Sequence, residues 1–485
     1  MGVILGRRVK IVATLGPATS TRETLRDILR AGVDVARINA AHGSAEVRGQ
    51  LIADVRAAAA DLERRVPILF DLQGLKIRTG PLASGKDPVP IARGSTVEVY
   101  PDTVPTTEQC IGIGYPKLLE VVELQSRILI SDGLIELLVE RVEGDKLVCN
   151  VGRGGQLFGR QGVTLPGAPI RGGALTEADR ADIAFALEQR VEYLGLSFVN
   201  DASDLVAARE ATSSLGDAAP GLIAKIERGE ALANVREIAE EADGLMVARG
   251  DLGVQLPPER VPRAQKEIIG VANGLGLPVI TATQMLESMI TQPVATRAET
   301  SDVANAVWDG TDAVMLSAET AMGRFPVEAV ETMDRIIREI EKDGAVRSPD
   351  AARMLRRVED PQLAFADAIA RAAYALSDQT PASLIIVFTL AGSAARRVAK
   401  YRPGQQIIAV CTEASVASRL NLVWGVRSIV LPLEEEPDTM FRIAGRAIID
   451  SRLAGPDEYA LIVGSLPMLR VSGRTNLVHV RKLGT

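Results

Sequence analysis

Six short stretches carry residues that could do chemistry, and each lies just past an apolar, β-branched run. "GLIAKIE" ends in Lys225 and Glu227, two positions apart and so on one face of a strand. "GLMVARGD" ends in Arg249, Gly250 and Asp251, "LPVITATQ" in Thr283 and Gln284, and "DAVMLSAET" in Ser317 and Glu319. "VDVARINA" carries Arg37 and Asn39, and "VPILF" runs into "DLQGLKIRTG", which holds Asp71, Lys76 and Arg78. Glu227 and Asp251 form a pair of carboxylates with no cysteine or histidine nearby. Hard oxygen donors of this kind suit Mg²⁺ or Mn²⁺, with water and substrate oxygens completing the octahedron. Arg37, Arg78 and Lys225 add positive charge to the same region. A divalent metal among several cations describes a site for a phosphorylated, carboxylated small molecule. Phosphoryl transfer is the reaction that needs such charge neutralisation and little covalent help from protein groups. Thr283 could order a water or relay a proton. With only two histidines, His42 and His479, a histidine zinc site or a Ser-His-Asp triad is hard to build.

These residues need a scaffold that brings strand ends together, and the rhythm of the chain supplies one. "RVKIVATLG", "VDVARINA" and "VPILFDLQG" read as strands separated by the helical patterns "STRETLRDILRAG" and "AEVRGQLIADVRAAAADLE". The first helix is expected to start at Ser20, with Glu23 in capping-box spacing, and to stop at Gly32. After a helix in "TEADRADIAFALEQRV", five more strands follow: "EYLGLSFV", "GLIAKIE", "GLMVARGD", "LPVITATQ" and "DAVMLSAET". Eight strands alternating with helices imply a (β/α)8 TIM barrel, whose site sits at the strand C-termini. The barrel is expected over residues 1–80 and 167–345. Between them, residues 81–166 are rich in Gly and Pro, show little helix, and contain "EGDKLVCNV", a turn between two alternating strands. They read as a small inserted β-barrel, a lid. "GRGGQLFGR" inside it is expected to be turns, because no amphipathic helix follows to make a phosphate fingerprint. Residues 346–485 carry four further strands, "SLIIVFT", "GQQIIAV", "VRSIVLP" and "YALIVGS", and read as an open α/β domain.

The bulk numbers agree. At 485 residues, several domains are expected. A net charge of −7 without a basic block argues against nucleic acid as a partner. No apolar run approaches the ~20 residues needed to cross a membrane. "MGVILGRRVKIV" has no signal-peptide layout, and Cys110, Cys149 and Cys411 lack metal spacing, so a cytoplasmic protein with reduced thiols is expected.

"KIVATLGPAT", "DVARINAAHGS", "AKIERGEALANV", "MVARGDLGV", "TATQMLESM", "TRAETSDVANAVWDG" and "VMLSAETAMG" together resemble the pyruvate kinase family, in order and over nearly the whole chain. The resemblance extends to the lid and to "LNLVWGV" and "SGRTNLVHV" near the end. It implies transfer of the phosphoryl group of phosphoenolpyruvate to ADP, giving pyruvate and ATP in glycolysis, with Mg²⁺ or Mn²⁺ as cofactor. It implies that Lys225 stabilises charge on the transferred phosphoryl and the enolate oxygen, and that Glu227 and Asp251 bind the metal. Arg37 would bind the phosphate, Gly250 and Asp251 the substrate carboxylate, and Thr283 would lie beside the methylene carbon. Asn39, His42 and Arg78 match nucleotide-side positions, and the lid would close over the site to exclude water. A homotetramer and a phosphorylated effector in the C-terminal domain are also implied. A non-catalytic phosphoenolpyruvate sensor would not need Lys225, Glu227, Asp251 and Thr283 together, and a barrel lyase or mutase would not need the lid or the third domain.

The chain departs from the family pattern where an activating potassium ion usually binds. The usual Asn-Phe-Ser-His-Gly is "NAAHG", placing Ala41 where the serine stands, and Asp-Thr-Lys-Gly-Pro-Glu is "DLQGLK", placing Leu72 and Lys76 where threonine and glutamate stand. Of the potassium ligands only Asn39 and Asp71 remain. Lys76 is expected to replace the ion and pair with Asp71, giving an enzyme that does not require potassium. In the lid, "RQG" (Arg160, Gln161) stands for Lys-Lys-Gly. In the C-terminal "TLAGSAARR", Thr389 and Ser393 are kept while Ala391 and Ala394 weaken the case for a sugar bisphosphate effector.

Overall fold

The computed structural model describes residues 6–85, 87–168, 170, 175–342, 361–467 and 474–484; the expected boundary at 345/346 lies outside them. Among the described residues, eight parallel strands close a barrel. In chain order they are Lys10–Thr14, Val35–Asn39, Ile68–Asp71, Tyr193–Leu196, Gly221–Ile226, Gly244–Ala248, Val279–Ala282 and Ala313–Leu316, here called the first to eighth barrel strands. All eight are the apolar runs read from the sequence. Strands buried on both faces need apolar residues on both, which is why they read as continuous runs rather than alternating ones. One parity fills the interior: Val12, Val35, Leu69, Tyr193, Ile223, Met246, Ile280, Ala313 and Met315 form a single buried cluster. The other parity packs outward against the helices, with Ile11, Ile38, Leu194 and Val247 among Leu25, Ile28, Ile52 and Ile268.

The first helix, Arg22–Ala31, starts one residue later than the capping-box spacing suggested. Thr21 is the cap, its hydroxyl accepting from the Thr24 N–H at 3.2 Å, while Ser20 closes the preceding turn by donating to the Pro17 carbonyl. Either hydroxyl can cap, and the turn Pro17–Thr19 uses up the first. Gly32 ends the helix as expected, at φ 131°, where a side chain would be strained.

The inserted segment forms a six-stranded sheet in the order Val163–Thr164, Arg127–Ile130, Ile135–Glu143, Lys146–Arg153, Thr96–Tyr100, Cys110–Gly112, with a two-stranded sheet beside it. "EGDKLVCNV" is the hairpin between its two longest strands, Glu143 facing Lys146 across a turn with Gly144 at φ 62°. The "GRGGQLFGR" cluster opens no helix, but it is not the run of turns expected: Gly152 and Arg153 end one strand, and Gly155–Leu157 form another, paired with Val89–Ile91. Bridges Arg78↔Gly162 and Thr79↔Ile113 join the lid to the chain leaving the third barrel strand.

In the C-terminal part, Val426–Val430, Gln406–Cys411, Ala382–Phe388 and Tyr459–Gly464 are the four expected parallel strands. A fifth, Leu477–Lys482, adds antiparallel to the edge and was not foreseen; its half-exposed pattern lacks a clean apolar run. "LNLVWGV" plugs the N-terminal end of the barrel, Leu422 joining the interior cluster. Buried Arg402 docks there on Asp312 at 3.2 Å, donates to the Gly310 carbonyl at 2.7 Å, and stacks 4.8 Å from the Trp424 ring.

Candidate active site

Two residues beyond the interior layer, the same parity turns polar. Thr14, Arg37, Asp71 and Lys225 therefore point into the C-terminal mouth of the barrel, above Val12, Val35, Leu69 and Ile223. Arg37 donates through Nε to Asp71 Oδ2 at 2.8 Å, through a second nitrogen to the same oxygen, and through the third to Thr14 Oγ1 at 2.9 Å. Lys225 Nζ lies 3.2 Å from the other Asp71 oxygen, 2.9 Å from Glu227 Oε1 and 2.7 Å from Ser197 Oγ. Glu227 is fixed in turn, its second oxygen accepting from the Phe198 N–H at 2.6 Å. Asp71 and Glu227 are each 1% exposed and Lys225 8%, so these charges interact in a low-dielectric setting.

Burial alone would push the Lys225 ammonium down, but the carboxylates of Asp71 and Glu227 outweigh it and hold it charged, above the usual lysine range. Burial would likewise raise Asp71, yet Lys225 and Arg37 hold it below the usual carboxylate range. Glu227 goes the other way: burial raises it, and the nearby Asp251 charge adds to that against the pull of Lys225.

Gly195 faces Asp71 across the strand pair, and a Cβ there would fall 2.8 Å from Asp71 Oδ1. Only a glycine leaves room for the carboxylate. Strained backbone lines the same rim, with Phe198, Thr283 and Gln284 at φ 56°, 68° and 55°.

The Gly250 N–H donates to Thr283 Oγ1 at 2.7 Å, and the Thr283 hydroxyl donates to its neighbour's carbonyl at 2.6 Å. The amide expected to meet the substrate carboxylate is therefore engaged with Thr283 here. Arg249 does not join the mouth. It is buried, reaching the Thr283 carbonyl at 2.6 Å and Asp302 at 2.8 Å, and so props the strained seventh-strand loop from behind. Glu319 is likewise internal, accepting from the Ser317 and Leu286 N–H groups.

Glu227 and Asp251 fit the expected divalent metal by donor chemistry: both offer oxygen, and among the described residues no donor holds the Asp251 carboxylate. Asp251 faces a cavity of about 50 Å³ between lid and barrel, whose lining includes Lys76, Asp132, Gly162, Phe198 and Arg228. A larger cavity of about 540 Å³, lined by Arg7, Lys10, Arg64 and Arg427 among others, lies at the opposite end of the barrel. No strand C-terminus reaches it, so it is not the site of the chemistry.

The expected pairing of Lys76 with Asp71 is not formed. Asp71 is taken by Arg37 and Lys225. The chain turns away at Gly74, at φ 65°, and leaves Lys76 exposed on the wall of the lid-side cavity, with no ion pair among the described residues. Asn39 turns its side-chain oxygen to the Ala41 N–H at 3.0 Å, His42 is exposed, and Arg78 donates to the Arg160 carbonyl of the lid at 3.0 Å.

Sequence reading missed Ser197. It lies just past the fourth barrel strand, which like the first had been assigned no polar end residue, and the period-two phase Tyr193, Gly195, Ser197 could have found it, as the step from Val12 could have found Thr14.

Comparison with known proteins agrees with this layout. Residues 6–330 match the family described as pyruvate kinase, barrel domain, and residues 367–481 match pyruvate kinase, alpha/beta domain. The pyruvate kinase of Geobacillus stearothermophilus is 42% identical over 98% of this chain and 80% of its own length. That of Agrobacterium vitis is 41% identical over 99% and 98%. A crystal structure of a pyruvate kinase from Cryptosporidium parvum superposes with a TM-score of 0.91 at 34% identity, covering 98% of this chain and 96% of the other. By matched residues and by fold, the chain belongs to the pyruvate kinase family of phosphotransferases.

Proposed function

We propose that the barrel mouth transfers the phosphoryl group of phosphoenolpyruvate to ADP, giving pyruvate and ATP, and does so without potassium. The observation that carries this is the buried Lys225 ammonium, held charged by Asp71 and Glu227 beside the Asp251 carboxylate in the lid-side cleft. The bond from phosphorus to the enol oxygen breaks, a bond to the terminal oxygen of ADP forms, and the enolate takes a proton at its methylene carbon. Lys225 stabilises negative charge on the phosphoryl and enolate oxygens as it develops. Arg37, fixed by Asp71 and Thr14, meets the phosphate, while Arg78, His42 and Asn39 lie on the nucleotide side under the lid. Thr283 and Gly250 orient the substrate carboxylate and the proton source beside the methylene carbon. Glu227 and Asp251 would hold Mg²⁺ or Mn²⁺, which supplies further charge neutralisation to the transferring group.

The case against potassium rests on four positions. Ala41 and Leu72 lack hydroxyls, the Asn39 oxygen is engaged with Ala41, and Asp71 is ion-paired with Arg37 and Lys225. A monovalent ion finds few oxygens left, while Lys76 brings its own charge to the cleft that Asp251 lines. In a coupled assay of pyruvate formation with ADP and Mg²⁺ in tetramethylammonium buffer, full activity is expected, and added potassium should change the rate less than about twofold. Lys76→Glu should lower the rate, with potassium failing to restore it. Strong activation of the parent by potassium would refute this part, and absence of pyruvate formation would refute the whole.

The domain division 1–80 with 167–345, 81–166 and 346–485, a homotetrameric assembly and a cytoplasmic location belong to the same reading. Three unpaired cysteines support the location, and no described helix is long and apolar enough to cross a membrane. A phosphorylated effector would meet the Thr389–Ser393 turn, where the Gly392 N–H donates to Thr389 Oγ1 at 2.9 Å.

A further inference from the structure

The Lys225 ammonium donates to Ser197 Oγ at 2.7 Å and lies 2.9 Å from Glu227 Oε1 and 3.2 Å from Asp71 Oδ1, an oxygen that takes no hydrogen bond among the described residues. The N–H nearest Asp71 is therefore the one a substrate oxygen can take. The Asp71 contact is the longest, and Asp71 keeps Arg37 when it is given up. Ser197 and Glu227 then remain as two fixed points that aim the third N–H.

Ser197 is built for that part. It is 4% exposed, and its single hydroxyl proton goes to the Leu72 carbonyl at 2.7 Å, which leaves its lone pairs facing Lys225. Being neutral, it draws off none of the ammonium's charge, in contrast to the two carboxylates. Its position is enforced from outside: Gly74 packs so closely that a Cβ there would fall 2.9 Å from the Ser197 Cβ. The same hydroxyl thus ties the loop carrying Lys76 and Arg78 to the central lysine.

We propose that Ser197 is a positioning residue, which aims the Lys225 ammonium at the reacting oxygens and locks the loop after the third barrel strand to it. The inference rests on the assignment of Lys225 made above. Ser197→Ala should lower kcat about 10- to 100-fold, the scale set by misplacing a catalytic group by a fraction of an ångström to an ångström. The KM for phosphoenolpyruvate should stay within about threefold, because Arg37 and the metal carboxylates are untouched. Ser197→Cys, of similar volume with a weaker acceptor, should fall between Ser197→Ala and the parent and serves if Ser197→Ala folds poorly. A double-mutant cycle separates aiming from packing: in a Lys225→Met background the serine substitution should change the residual rate less than about twofold. A kcat within twofold of the parent for Ser197→Ala, or the same loss with and without Lys225, would overturn the proposal. If Lys225→Met itself kept the parental kcat, the assignment of Lys225 would fall, and this inference with it.

Discussion

Gly195→Ala is the sharpest available probe of the charge cluster, because it adds one methyl group and replaces no charged residue. The new Cβ would lie 2.8 Å from Asp71 Oδ1, 3.3 Å from its Cγ and 3.4 Å from its Cα. An ordinary carbon–oxygen contact needs about 3.4 Å, so Oδ1 must yield roughly 0.6 Å. The carboxylate cannot translate, because Arg37 Nε holds the other oxygen at 2.8 Å. It must pivot, and the 3.2 Å contact to Lys225 is the one that changes. Overpacking of this kind costs about 1–3 kcal/mol, against which the reduced freedom of the unfolded chain returns about 0.4–1 kcal/mol. A net loss of about 1–2 kcal/mol in folding stability is expected. On the kinetic side, a displacement of about half an ångström at a catalytic group should lower kcat about tenfold. Denaturant unfolding and steady-state kinetics on the same preparation read both numbers. Gly270→Ala is the control: it sits in the helix Val261–Leu275 with nothing within 4 Å of the added atom. It should gain about 0.5–1 kcal/mol with unchanged kinetics. A folded Gly195→Ala enzyme with parental kcat would show that the Asp71–Lys225 geometry does not govern the rate.

Two further outcomes follow from particular contacts. Burial lowers Lys10 to about 8, with Arg7 and Arg427 adding to the effect against the pull of Asp34. The unfolded chain then binds the extra proton between about pH 8 and its free value of 10.5, so stability should rise across that window, the full penalty being present below it. Lys10→Met should therefore stabilise the protein by about 1–2 kcal/mol at pH 7, after loss of the bond to the Val426 carbonyl, with the gain gone by pH 10.5, as urea unfolding at both pH values would show. Asp251→Asn should raise the Mg²⁺ concentration for half-maximal rate at least about tenfold, with partial recovery at high Mg²⁺. An unchanged Mg²⁺ dependence would remove Asp251 from the metal site.

What could be read in advance, and what could not, divides along the strand geometry. Buried parallel strands announce themselves as apolar runs, so all eight barrel strands, and the polar residues just beyond six of them, were read without coordinates. Parity within a strand was visible too: Val35 below Arg37, Leu69 below Asp71 and Ile223 below Lys225 each predict an inward-facing polar side chain. Applied to the fourth strand, the same parity names Ser197, and a glycine inside a strand is itself a sign of close approach, as Gly195 against Asp71 shows. Partner choice is a different kind of information. Asp71 and Lys76 are five residues apart and invite pairing, yet Asp71 takes Arg37 from the second strand and Lys225 from the fifth. That selection depends on the stagger between neighbouring strands, here Arg37 beside Leu69 and Asn39 beside Asp71, which lets the longer arginine reach up one step to the acid. No local spacing encodes the stagger. The consequence for Lys76 is chemical: freed from Asp71, its charge serves the lid-side cleft rather than the buried cluster, so a potassium-free enzyme would owe its independence to two separate devices. One is the internal pairing of Asp71 with Arg37 and Lys225, and the other is the exposed Lys76 cation on the wall of the cavity that Asp251 lines.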